Sequence, residues 1–97
     1  RKFMAPLTPD SRVVRSEEFI TSTVDNELVM MSLEKGTYYG LDAIGSRIWE
    51  NIAEPITVGA LCQKLIDQFE VDPDKCQTDV LTFLNELHRE DMIREVS

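Results

Sequence analysis

The stretch Thr37–Ile52 constrains this chain more than any other, because it joins a strand to a helix with no linker between them. Thr37, Tyr38, Tyr39 and Leu41 are β-branched, aromatic or bulky apolar residues, which suit a pleated, half-buried surface. Asp42 follows, and its carboxylate can accept from the free N–H groups that open a helix. Ile44, Ile48, Trp49 and Ile52 then recur at helical spacing and make one apolar face. A strand that passes straight into a helix sets the angle between a sheet and a helical layer, so a two-layer domain would be pinned here.

The residues before this junction read as two further strands. Phe19–Val24 alternates bulky and small polar side chains, as a strand with one wet face does. Asp25-Asn26 is a turn pair, since both residues tolerate left-handed backbone. Leu28–Leu33 is a nearly continuous apolar run, which suits a central strand covered on both sides. Glu34-Lys35-Gly36 reverses the chain again, with glycine free to take positive φ. Thr37–Leu41 thus completes a three-stranded antiparallel meander and lies at its edge.

Three helices follow. Pro55 breaks the chain after the Trp49 helix. Thr57 can cap a second helix whose apolar face is Val58, Leu61, Cys62, Leu65 and Phe69. Asp72-Pro73 is a cap followed by proline at the first helical position. Cys76, Val80, Phe83, Leu84 and Leu87 give the third helix its core face, with Asp74 and Asp79 toward its start and His88-Arg89 at its end, as the helix dipole favours. Met92, Ile93 and Val96 can return as a short tail. Residues 1–18, with Pro6 and Pro9, read as an extended N-terminal arm in which Val13-Val14 could add a short strand, and residues 19–97 as the domain. The predicted fold is α+β and winged-helix-like: a three-stranded antiparallel sheet followed by three helices.

Composition sets the class. At 97 residues, 42% apolar and 29% charged, the chain is one domain with one core. No apolar run is long enough to cross a bilayer, and no stretch has a signal peptide's pattern. The chain begins at Arg1, which leaves open a segment before it. The formal charge is −8, with 10 basic residues scattered along the chain, which speaks against a nucleic-acid partner. A cationic or polar peptide suits such a field better, although the same charge can serve solubility alone. Cys62 and Cys76 fall on helical apolar positions without a CxxC motif or a neighbouring histidine, so buried reduced thiols and a cytoplasmic location are expected, with a disulfide as the alternative.

No catalytic, metal-binding or cofactor-binding constellation emerges. His88 is the only histidine and sits among Arg89, Glu90 and Asp91 at a helix end. The carboxylates form no acid–base pair, and the glycines form no phosphate loop. Tyr38, Tyr39 and Trp49 read as core before they read as a ligand cage. What remains is the edge strand, whose unpaired N–H and C=O groups another extended chain can satisfy. The N-terminal arm or a second copy, in a homodimer, could cover it instead.

From Val29 through the Tyr38-Tyr39-Gly40-Leu41-Asp42 run to Ile48-Trp49-Glu50, and on through Thr57-Val58, Val71-Asp72, Asp79-Val80 and Phe83-Leu84, the chain resembles the PqqD family of peptide chaperones. The tyrosine-rich strand with Leu-Asp, a glycine and Ile-Trp-Glu is similar to the stand-alone members found with lasso-peptide biosynthesis. One departure is Glu90-Asp91-Met92-Ile93, where many relatives carry a glycine before the apolar pair.

The resemblance implies a recognition element for the leader segment of a ribosomally made precursor peptide. Such a leader pairs with the third strand, packs against the third helix and is presented to a leader protease and a macrocyclising enzyme. Carried over here, the docking strand is Thr37, Tyr38, Tyr39, Gly40 and Leu41, and the docking helix spans Asp74–Leu87. With its core face occupied by the fold, that helix would meet the leader through Gln77, Leu81 and Asn85, with Val80 and Leu84 at the margin. Alternatives are a chaperone for another peptide or quinone-cofactor pathway that uses a radical enzyme, and a winged-helix transcription regulator. The regulator would need a basic recognition helix, yet Lys75 stands against Asp74, Asp79 and Glu86.

Overall fold

The structure, a computed structural model, describes residues 5–25 and 27–96. In chain order the elements are β1 (Arg12–Arg15), β2 (Phe19–Val24), β3 (Glu27–Ser32), β4 (Tyr38–Leu41), α1 (Ala43–Asn51), β5 (Ile56–Thr57), α2 (Val58–Gln68), α3 (Pro73–Arg89) and β6 (Ile93–Val96). The expected meander is present: β2, β3 and β4 form an antiparallel sheet with β3 in the centre. Met31 lies opposite both Ile20 and Tyr38, and Met30 opposite Thr21 and Tyr39. The two reversals use left-handed backbone, at Asp25 (φ 53°) and Gly36 (φ 68°). The Asn26 half of the first turn lies outside the described residues.

A second sheet accompanies the meander. β1 sits between β5 and β6 in a second antiparallel sheet, and Val13 and Val14 are both buried. Part of the segment before Phe19 is therefore packed into the core. Leu7 is 4% exposed, and its N–H donates to Asn85 Oδ1 at 2.9 Å. Ser11 is buried as well and accepts from the Thr8 N–H through its Oγ. Two valines among polar residues carry little local strand signal. They become a strand because β6, some 80 positions away in sequence, offers a ladder for Arg12 to Arg15.

All three anticipated helix caps form. Asp42 Oδ1 accepts from Gly45 N at 2.7 Å, Thr57 Oγ1 from Ala60 N at 3.2 Å, and Asp72 Oδ2 from Lys75 N at 3.0 Å. α3 ends at the departure noted above. Asp91 takes φ 58°, its N–H donates to His88 O, and Met92 N donates to Leu87 O at 2.9 Å. That paired arrangement is a left-handed C-terminal cap, which explains why a glycine suits the position. Leu87 and Met92, its flanking apolar pair, are both buried.

Trp49, 1% exposed, occupies the middle of the core with Met30, Ile52, Leu61, Leu65 and Leu84. Not every residue expected in the core lies there: Tyr38 is exposed and Phe69 is half-buried. Ile44 is 42% exposed, because Gly45 turns inward in its place, close against Leu41 and Asp42. Phe83 is half-buried at the rim of α3.

Candidate functional site

β4 pairs with β3 alone, so its other side is a free edge. Which of its backbone groups point outward follows from the ladder. Ser32 N donates to Thr37 O at 2.9 Å, so Thr37 faces β3, and antiparallel alternation then turns Tyr39 and Leu41 the same way. Tyr38 and Gly40 are left with their N–H and C=O groups directed away from the sheet. An added strand would meet these two residues. A Cβ built on Gly40 would find nothing within 4 Å, so the backbone here is open to a close neighbour.

This edge borders a groove along α3. A hollow of about 330 Å³ lies between Gly40, Leu41, Asp42, Ile44, Gly45 and Ile48 on one wall and Asp79, Val80 and Phe83 on the other. It shares Gly40, Leu41 and Phe83 with a second hollow, which continues past Tyr39 to Glu86, Glu90 and Met92. In the other direction it shares Ile44, Asp79 and Val80 with a hollow of about 350 Å³ that reaches Phe69, Val71 and Cys76. The floor is apolar and the rims carry carboxylates.

The residues singled out from the sequence divide sharply. Tyr39, Gly40, Leu41 and Val80 line the groove. Tyr38 is 72% exposed on the outer face of the sheet, where only its backbone belongs to the edge. Thr37 precedes β4, its carbonyl is used by Ser32, and its hydroxyl donates to Tyr39 Oη at 3.2 Å. Leu84 is 0% exposed and sealed in the core.

Gln77, Leu81 and Asn85 are placed on the wrong flank of α3 to meet β4. Asn85 holds Leu7 through its Oδ1 and borders a hollow with Ala5, Pro6 and His88. At about 100° per residue, Leu81 and Phe83 lie on opposite sides of the helix. The side toward β4 is Asp79, Phe83, Glu86 and Glu90. The N-terminal segment had already taken the other flank, and nothing in the periodicity of α3 distinguishes the two. The signal that could have found Phe83 was its aromatic bulk at the margin of the apolar stripe.

Among the described residues, no group of three or more His, Cys, Asp and Glu is placed to hold a metal ion, and no helix is long and apolar enough to cross a membrane. Cys62 and Cys76 are free and buried side by side on α2 and α3. Burial, with the Cys76 thiol alongside, pushes the Cys62 thiol up to about 11.

Residues 27–93 match the profile of a family described as coenzyme PQQ synthesis protein D. The chain belongs to the PqqD family. The matched span runs from the start of β3 to the start of β6, so it contains β4, α3 and the groove between them. Two solved structures share the PqqD-like fold over nearly their whole length. One is TbiB1 in complex with the TbiA(beta) leader peptide, 28% identical, with a TM-score of 0.76 over 87% of this chain and 98% of that one. The other is lasso peptide synthetase B1 complexed with the leader peptide, 17% identical, with a TM-score of 0.74 over 84% and 96%, which bears on the fold alone. No curated protein matches the chain by sequence.

Proposed function

We propose that this PqqD-family protein binds the leader segment of a ribosomally made precursor peptide as an added strand on β4, and catalyses no reaction itself. The observation that carries this reading is the open edge at Tyr38 and Gly40 beside the groove of α3. Main-chain bonds to the edge would supply affinity, while leader side chains level with Tyr39 and Leu41 would enter the groove toward Phe83. The similarity to TbiB1, whose structure holds a leader peptide, supports the same role here. In this reading the bound precursor is handed to a separate leader protease and macrocyclising enzyme of lasso-peptide maturation, in the cytoplasm. An acidic helix face along the groove also disfavours the winged-helix regulator, which would have to meet phosphates.

The test is calorimetric titration with a synthetic leader peptide, starting with that of TbiA(beta), which the similar TbiB1 holds. Gly40→Pro removes one outward N–H without touching the ladder to β3, so the variant should stay folded by circular dichroism. Its affinity should fall by about tenfold or more, the equivalent of about 1.4 kcal/mol. A folded Gly40→Pro protein that binds as tightly as the parent would rule out strand addition at β4.

A further inference from the structure

Four exposed carboxylates stand around the part of the groove that adjoins β4. Asp42 and Asp79 face each other across its Leu41 end, and Glu86 and Glu90 border its Tyr39 end. No lysine or arginine lines either hollow. Lys75, on the next hollow, is paired with Asp79 at 3.2 Å in an exposed contact and reaches none of the other three in an ion pair. Along α3 the order is Asp79, Phe83, Glu86, Glu90, spaced four, three and four residues apart. That spacing puts one aromatic ring in a line of acids on a single helix face.

We infer that the groove selects a cationic, amphipathic strand. Its occupant carries a large apolar side chain on Phe83 and Ile44 and a lysine or arginine within a few residues on both sides. The inference rests on the proposed strand addition and specifies the chemistry of the peptide that adds. Asp79 and Glu86 are about 10 Å apart along the helix axis, which an extended peptide covers in about three residues. A flexible lysine or arginine two to four positions from the apolar anchor therefore reaches either acid. A cation at the Leu41 end meets carboxylates from both walls, where the apolar floor keeps the local dielectric below that of water. An uncharged or acidic peptide would crowd the same carboxylates without offering a partner, so the groove discriminates by penalty as well as by attraction. The protein's formal charge of −8 adds long-range steering in the same sense.

A random peptide library displayed on phage is panned against the parent protein, Gly40→Pro, and the quadruple variant Asp42→Asn, Asp79→Asn, Glu86→Gln, Glu90→Gln. Asparagine at 42 keeps an acceptor for Gly45 N, so the cap of α1 survives the loss of charge. The parent should enrich peptides that Gly40→Pro does not, with lysine or arginine flanking a large apolar residue. The quadruple variant should still enrich apolar peptides, with the basic excess gone. For a selected peptide, raising salt should weaken binding to the parent by roughly threefold or more and leave the quadruple variant nearly unchanged. A parent pool no more basic than the unselected library, or a quadruple-variant pool just as basic, overturns the inference while strand addition stands. If no pool depends on Gly40, strand addition itself fails and takes the inference with it.

Discussion

The guanidinium of Arg15 lies 5.6 Å from the centre of the Trp49 ring, and its Nη1 donates to the Trp49 carbonyl at 3.1 Å. The Arg15 N–H also donates to Ile52 O at 2.9 Å, so one residue of β1 holds the last turn of α1 from two directions. Phe19 meets the same indole edge-on at 5.9 Å. The C-terminal end of α1 is thus clamped by the strand that precedes the meander. The indole Nε1 finds no acceptor among the described residues, so Trp49 acts here as apolar bulk and as a face for a cation.

Trp49→Ala should destabilise the domain by about 3–5 kcal/mol and leave little folded protein. Arg15→Ala should cost about 2–4 kcal/mol, the sum of a charge-assisted hydrogen bond and a cation–π contact. Arg15→Lys should recover only part of that, since lysine lacks the planar fork. Urea midpoints of the three variants decide the order; an Arg15→Ala protein as stable as the parent would mean the clamp is idle.

Leu7→Ala should cost about 2–4 kcal/mol, because the side chain is buried against α3. Thermal melts check it. A melting point unchanged from the parent would make the segment before β1 a dispensable arm after all.

On α3 the two flanks should respond oppositely. Phe83→Ala should weaken peptide binding by about tenfold or more while the protein stays folded. Leu81→Glu should instead lower stability, since Leu81 packs against the core on the flank that carries Leu7, and affinity of the folded fraction should be unaltered. Circular dichroism and fluorescence anisotropy of a labelled peptide separate the two effects. Tight binding by Phe83→Ala with loss of binding by Leu81→Glu would move the groove to the opposite side of the helix.

Asp91→Gly should stabilise the fold by about 1 kcal/mol, because a side chain is removed from left-handed backbone at a helix end. A lower urea midpoint in the variant would mean that Asp91 contributes a contact worth more than the backbone penalty.

Cys62 adds a pH dependence whose sign is fixed by its environment. Its thiol is raised from 9.0 in the unfolded chain to about 11 in the fold, so above pH 9 the unfolded state ionises first. Stability from this group is fully present below that pH and is lost as pH climbs toward 11. Cys62→Ala should flatten this slope in urea unfolding between those limits, and native Cys62 should react slowly with thiol reagents at neutral pH. Rapid labelling of the folded protein would contradict the burial.

Local chemistry along the chain was enough to place the meander, the three helices and their caps. Strand alternation, capping residues and turn residues act over a few positions, and each of Asp42, Thr57 and Asp72 does locally what its side chain permits. The edge position of β4 also followed, since three strands in series leave the third outside. The other half of the fold depends on partners far apart in sequence. Val13 and Val14 become a strand only once β6 lies beside them, and Leu7 becomes core only once Asn85 holds its N–H. That same contact decided which flank of α3 faces the groove. Helical periodicity marks a core stripe but treats its two margins alike. Periodicity put Phe83 in the core face and Leu81 on the ligand side, whereas tertiary packing covered the Leu81 margin with the N-terminal segment and left the Phe83 margin open beside β4.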